Sequence, residues 1–362
     1  MKKLRFLSVI SSVLLFLGVL PVSYEKAYSA GSDYNWYTVG IDKSGEVTVP
    51  EVDRDKTVTA VYIMGSEEVT TISIPVTVQK IDVSVSRCSS LTAYYVDEDN
   101  PYLCSVDGVV YSKQKDELIC YPQNKADENY KVLDSAEKIG EFAFRNANNL
   151  TSVDLPNNLK TIDKYAFVET KISDFDLPES LEYIGMDAFG GNNALETIII
   201  PENVSQIMSP FYKCDSLKTV ILLRKEIDEY EESSSLTNRG NDFYSSILDS
   251  CSDIVVYVPD FAYEMYSHHA PCWEGCKELK PLSEYTGPLK NKKGDVNCDW
   301  QVDLADAILI MQALANPNKY GIDGTAEHHL TEQGRINGDM DGDGLTVDDA
   351  QAIQLKLLGL YD

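Results

Sequence analysis

The sequence predicts two folds in one chain: a repeat solenoid built mainly of short β-strands, then a small all-α module of two loop–helix units. Three observations predict this. Between about Thr70 and Leu223, several apolar positions recur every 22 or 23 residues. Near the C-terminus, GDVNCDWQVDLADA from Gly294 and GDMDGDGLTVDDA from Gly338 repeat one acidic pattern, each ahead of a helix-like run. The chain also opens on a charged, then apolar, then small-residue leader.

The leader comes first. Lys2, Lys3 and Arg5 precede an apolar run of 15 residues, Phe6 to Leu20, and AYSA follows at Ala27 to Ala30. That order describes a secretory signal peptide over 1–30, and the run is short for a bilayer span of about 20 residues. The leader carries Lys2, Lys3, Arg5, Lys26 and Glu25, so its removal takes the formal charge from −27 to about −30. Such acidity opposes a nucleic acid partner, whose binding depends on basic groups displacing counterions. It suits divalent cations or a basic partner surface. Aromatic residues make up 10% of the chain, enough for a core, which separates it from a disordered acidic tail.

Residues 31–69 carry the β-prone runs EVTVP and KTVTAVYIMG and are expected to form an N-terminal cap. The repeats follow over 70–223. Phe144, Phe167, Phe189 and Phe211 lie 23, 22 and 22 residues apart, and Ile139, Ile162, Ile184 and Ile207 lie 23, 22 and 23 apart. Leu150, Ile172, Leu195 and Leu217 keep the same step, as do Pro156, Pro178 and Pro201. In each unit a short alternating segment, such as TSVDLP, points Val153 and Leu155 to one side. A proline ends it, because proline cannot donate to a continuing ladder. A second apolar segment, such as LEYIGMDAF, turns inward. One such unit cannot bury its apolar face alone, whereas stacked units share a continuous core.

LPESLEYIGMDAFGGNNALETIIIP resembles the BspA-like type of leucine-rich repeat of bacterial surface proteins, in strand, proline, I-G-x-x-A-F and closing leucine. Two departures stand out. Within an insertion over 97–122, SVDGVVYSKQKDELICYP (Ser105 to Pro122) reads as a β-hairpin, and Pro210 replaces the expected alanine, which predicts a distorted turn. Residues 224–250 read as a polar loop. Residues 251–285 read as a C-terminal cap of strand, short helix and last strand, and 286–291 as a linker.

Cys88 and Cys214 share one slot, before SSL and DSL, and read as buried thiols. Cys104 with Cys120, or Cys272 with Cys276, is placed to bridge; sequence alone leaves the connectivity open. No catalytic signature is present: no G-x-S-x-G, no H-E-x-x-H and no Walker A loop. The His268–His269 pair reads as solvated or packed, and Trp36 and Trp273 as core or cap residues. The chain is therefore read as non-enzymatic.

In an EF-hand-type loop, oxygen ligands come from positions 1, 3 and 5, a carbonyl at 7 and a carboxylate at 12. Asp295, Asn297, Asp299, the Gln301 carbonyl and Asp306 fit that spacing, although Trp300 stands where glycine is usual. The second loop supplies Asp339, Asp341, Asp343, Gly344 and the Leu345 carbonyl, but its position 12 is Ala350. Either the loop is contracted by one residue and closed by Asp349 rather than Asp348, which restores the set and is the favoured reading, or the second site is weak. Two calcium ions are expected.

Two acidic loops, each followed by one helix, make residues 292–362 similar to a type I dockerin. The intervening ANPNKYGIDGTAEHHLTEQGRIN resembles dockerins of rumen Ruminococcus-type systems. The resemblance implies a scaffold cohesin as partner and a cellulosome as setting. Independently, DAILIMQALA from Asp306 is apolar all round. Such a helix needs a second cover, either a partner or the linker 316–336, and Ile308 with Met311, one turn apart, are the candidate cohesin anchors. The last helix reads as one-sided, with Gln351, Gln354 and Lys356 outward and Ile353 and Leu357 inward. The expected function is a secreted, non-catalytic cellulosome component whose repeats recognise protein or carbohydrate during plant polysaccharide degradation. The rivals are a dockerin-bearing hydrolase and a cell-surface adhesin.

Overall fold

In the computed structural model, the described residues are 34–40, 42–65, 67–84, 86–224, 253–268, 276–285, 293–298, 302–326 and 328–360. The expected signal peptide, most of the polar loop, the linker, Cys272, Trp273, His269, Asp299, Trp300 and Gln301 lie outside them. The chain divides into two compact units, 1–258 with 262–279, and 259–261 with 280–362. Among the described residues, no helix is long and apolar enough to cross a membrane.

The first unit is the β-solenoid that the 22–23 residue period predicts. Glu117–Cys120 begins a parallel ladder that runs through Lys138–Ile139, Thr161–Ile162, Tyr183–Ile184 and Gln206–Ile207. Ile139, Ile162, Ile184 and Ile207 are direct cross-strand partners and all buried. A second ladder pairs Asn129–Lys131 with Ser152–Asp154. After an interval it resumes in parallel through Thr197–Ile200, Thr219–Leu222 and Ile254–Val258. Cys276–Pro281 is the last strand of that sheet, reached by way of the short helix α1, Tyr263–His268. In the interval, Phe175 enters the core at the strand position and meets Phe167 and Phe189 edge-on, at ring-centroid separations of 5.0 and 4.7 Å.

The periodic phenylalanines form a continuous stack. Centroids are 4.9, 5.9 and 5.8 Å apart from Phe144 through Phe167 and Phe189 to Phe211, with interplanar angles of 11°, 4° and 18°. Backbone bonds run alongside: Phe144 N–H donates to the Ala166 carbonyl at 2.7 Å, Phe167 to Ala188 at 2.7 Å, and Phe189 to Pro210 at 2.9 Å. Pro210 thus keeps the carbonyl that the relay uses, and the distortion expected there does not interrupt it. Each coil also bends at a left-handed residue, Phe142, Tyr165, Asp187 and Ser209, with φ of 60°, 58°, 51° and 38°. That backbone costs a non-glycine residue about 1–2 kcal/mol, which the inter-coil hydrogen bonds offset.

One polar slot lies inside this core. Asn192 is fully buried and donates to the carbonyls of Phe167 at 2.8 Å and Phe189 at 2.6 Å, while Thr170 donates to its oxygen. Cys214, 22 residues on, donates to Phe189 at 3.1 Å. Phe167→Ala should cost about 3–5 kcal/mol, and Asn192→Ala about 1–3 kcal/mol, because the buried Phe167 carbonyl loses its side-chain donor. The exposed Lys171→Ala should change stability by no more than about 0.5 kcal/mol. Urea unfolding of the three variants checks the order; an Asn192→Ala variant as stable as Lys171→Ala would remove the slot's structural role.

Three expectations are corrected. The stretch expected as an N-terminal cap already runs in parallel ladders. Trp36–Val39 pairs with Ala60–Ile63 and then Lys80–Asp82, and Gly45–Thr48 with Val69–Ile74 and then Ala93–Val96. Its core reaches from Val39 to Cys120. The inserted hairpin is a three-stranded meander, Leu103–Val106, Val109–Ser112 and Glu117–Cys120, whose last strand starts the long ladder. Cys104 and Cys120 are not bridged, because they flank the middle strand: Cys104 faces Tyr111 on one side and Cys120 faces Val110 on the other. Two strand spacings, about 9–10 Å, exceed the reach of a disulfide. Burial pushes the Cys120 thiol up to about 12. Alkylation of the folded protein at mildly alkaline pH should spare it, and mass spectrometry of the labelled peptide reads the outcome.

Candidate functional site

The second unit holds the two acidic loops. Helix α2 spans Leu304–Ala315, and α3 is the single turn Pro317–Tyr320. Helices α4, Glu332–Gly338, and α5, Val347–Leu357, complete the unit. Both loops close in one way. Asp303 and Thr346 cap α2 and α5, and Asp306 and Asp349, each three residues on, reach back to complete capping boxes.

Both closing carboxylates are buried and turned into their loops. Asp306 accepts from the N–H groups of Val296 at 2.7 Å, Asn297 at 3.0 Å and Asp303 at 2.7 Å. Asp349 accepts from Met340 at 2.6 Å and Thr346 at 2.6 Å. Asp349 therefore occupies in the second loop the place of Asp306 in the first, whereas Asp348 is exposed. This is the geometry of a loop contracted by one residue.

In the second loop, oxygens of Asp339, Asp343 and Asp349 lie within 4.8 Å of one another, close enough to hold one metal ion. Asp339 is fixed by the N–H groups of Gly342 at 2.7 Å and Gly344 at 3.0 Å. Gly344, with φ of 103°, makes the turn that favours glycine. Asp341 stands outside the trio but accepts from the Asp343 N–H at 3.2 Å. Shared hydrogen bonding and charge from Asp341, then charge from Asp349 and Asp339, hold the Asp343 carboxyl above its ordinary range. A divalent cation would relieve that crowding. In the first loop Asp295 is buried, and Leu345 of the second packs partly against the shared core. An all-oxygen, carboxylate-rich set of this kind suits a hard cation.

Helices α2 and α5 pack on each other, burying Ala307, Leu309, Ile310 and Ala313 against Ala350, Ala352 and Ile353. The opposite side of α2 stays open. Leu304, Ile308 and Met311 are 59%, 54% and 45% exposed, at i, i+4 and i+7 along one face. Among the described residues, the linker does not cover them; Tyr320 and Leu330 join the core instead. On α5 the equivalent positions, 43 residues on, are Val347, Gln351 and Gln354, all exposed. Leu357, expected inward, is 43% exposed, as is its equivalent on α2, Leu314, at 42%. Reading from the sequence missed Leu304 by starting the helix at Asp306. The signal was there in Asp303-x-x-Asp306, a capping pattern that starts α2 at Leu304.

Comparisons with known proteins follow the same division. Residues 120–236 match, in 6 copies, the family model described as BspA type Leucine rich repeat region. That stretch is a leucine-rich repeat region of this type. A curated protein named Xylanase/beta-glucanase, from Ruminococcus flavefaciens, is 39% identical over 160 residues, covering 36% of this chain. The chain spans only 20% of that relative's length. The crystal structure of the pneumococcal vaccine antigen PcpA shares 21% identity and a TM-score of 0.47, over 65% of this chain and 61% of that one. A chain in the structure of R. flavefaciens' third ScaB cohesin in complex with a group 1 dockerin is 50% identical, with a TM-score of 0.20, over 20% of this chain and 95% of that chain.

Proposed function

We propose that this protein is a secreted, non-catalytic component of a cellulosome. Its C-terminal unit is a dockerin that binds two calcium ions and seats the apolar face of α2 in a scaffold cohesin at the cell surface. Its solenoid serves as a recognition module for protein or carbohydrate during plant polysaccharide degradation. The observation that carries the reading is the pairing of two like-built acidic loops, closed by Asp306 and Asp349, with an uncovered apolar face on the helix that follows the first. A calcium loop supplies rigidity, and an apolar face on the rigid helix supplies the anchor. The 50% identity of the matched segment to a chain of a cohesin–dockerin complex points the same way.

In the first loop the ligands would be Asp295, Asn297, Asp299, the Gln301 carbonyl and Asp306. In the second they would be Asp339, Asp341, Asp343, the Leu345 carbonyl and Asp349. The test is capture of the whole protein by immobilised cohesins of rumen type, with calcium and with chelator. Binding in calcium alone is expected, and binding that survives chelation refutes the mechanism. The alternative, a dockerin-bearing hydrolase, draws on the relative named Xylanase/beta-glucanase. Release of reducing sugar from plant cell walls by the purified chain would favour it; none is expected.

A further inference from the structure

Helix α4 touches both acidic loops. Its buried Asn337 donates from Nδ2 to the carbonyl of Asp295 at 2.8 Å, and its own carbonyl accepts from the Gly294 N–H at 2.7 Å. The residue that starts the first loop is thus held from both sides of its backbone by one residue 42 positions away. Two residues further on, the chain reaches Asp339, the start of the second loop. No flexible stretch separates the two, because Asp339 is itself the C-terminal cap of α4.

Packing tightens the link. A Cβ on Gly334 would stand 2.0 Å from the Val296 carbonyl oxygen, so α4 lies on the first loop's backbone with no room for a side chain. A Cβ on Gly338 would meet Leu345 of the second loop at 2.7 Å and Val296 of the first at 3.1 Å. Val296 is held from its other side by Asp306, whose carboxylate accepts its N–H. The Asp306 carboxylate, Val296, α4 and Asp339 therefore form one contiguous set of contacts.

We infer that Asn337 is a positioning residue for both loops: it couples them through α4, so that a cation in either loop organises the other. The inference rests on the reading of the two loops as calcium sites. The chain of contacts gives the reason. An ion held in the second loop by Asp339 would fix the end of α4, which Asp339 caps. A fixed α4 holds Asn337 against Asp295 and presents the first loop already shaped. By linkage the effect runs equally in the other direction.

The experiment is calorimetric titration of the chelator-stripped whole chain with calcium chloride. Wild type should take up two ions with positive cooperativity. Asp349→Ala should take up one, at the first loop, about tenfold more weakly than wild type fills that loop. Asn337→Ala should take up two with clearly less cooperativity than wild type, although it contributes no ligand, while its helical circular dichroism in saturating calcium matches wild type. Should Asn337→Ala fail to fold, Asn337→Leu removes the same donor at nearly the same shape and without a buried charge, and is read in the same way. First-loop affinity unchanged in Asp349→Ala, or cooperativity as strong as wild type without the donor, overturns the coupling. Two independent ions in wild type overturn it too and leave the calcium reading intact. No bound ion in wild type sinks the calcium reading itself.

Discussion

Stripping calcium should unfold residues 292–362 and leave the solenoid standing. The second unit is too small to depend on its core alone, since domains of this size bury little of the surface their unfolded chains expose. Its loops also bring together Asp339, Asp343 and Asp349, with Asp341 beside them. With no ion, that crowding opposes folding. With one, the same carboxylates become ligands, and binding free energy becomes folding free energy. At an ion concentration 1,000 times the dissociation constant, one site adds about 4 kcal/mol. The solenoid carries no such set among its described residues, and its stability comes from the phenylalanine stack and two ladders. Calorimetry of the whole chain should show two transitions, of which chelator lowers or abolishes only one. A single transition, or a chelator shift in both, would falsify the division of labour.

Substitutions within the loops sharpen this. Asp349→Ala removes a ligand together with the acceptor for Met340 and Thr346, so it should destabilise the unit and abolish the second site. Asp348→Ala, at an exposed position, should do neither. Asp349→Asn keeps only one of the two accepting oxygens, which serve Met340 and Thr346 separately, and brings no charge to an ion. It should fold less well than wild type in calcium, by less than Asp349→Ala. The reverse order of effects at 348 and 349 would remove the contracted loop.

The features that could be read from the sequence repeat at short range or follow a fixed ligand spacing. Phe144 to Phe211 and Ile139 to Ile207 announced the solenoid because every coil there has nearly equal length. The N-terminal coils escaped that reading because their strands begin at Trp36, Ala60 and Lys80, steps of 24 and 20 residues, with a small antiparallel hairpin, Val52–Asp53 with Lys56–Thr57, between. Cys104 and Cys120 looked like partners because a hairpin brings its ends together, whereas a third strand keeps them apart. Asn337 gave no signal. A buried amide whose partner lies 42 residues away belongs to no period and no motif, and only the packed structure reveals it. Leu357, the last residue of its helix, was misplaced because periodicity assigns a face to each residue without saying how much of that face is covered at a helix end.

Replacing Ile308 and Met311 together by aspartate should destroy cohesin binding, while placing charges at Gln351 and Gln354 should change it little. Both pairs sit at equivalent positions on helices that follow like-built loops, so a docking partner could in principle seat either face. The chemistry separates them. Burying an isoleucine or methionine side chain stabilises by about 1.5–3 kcal/mol each, whereas burying a glutamine without hydrogen-bond partners costs about 1–3 kcal/mol. A pocket shaped for Leu304, Ile308 and Met311 therefore rejects Val347, Gln351 and Gln354, which gives a single orientation on the cohesin. The aspartate pair should weaken binding by about a thousandfold or more, as expected when two central anchors are lost at about 2 kcal/mol each. Leu304→Asp should show a smaller loss, because it stands at the end of the face. Calcium content and helical signal measured for every variant separate lost docking from lost folding, since none of these side chains is a ligand or part of the core. Equal losses from the two double variants, with both still folded, would mean that the helices share the interface and that the partner reads the module in two orientations.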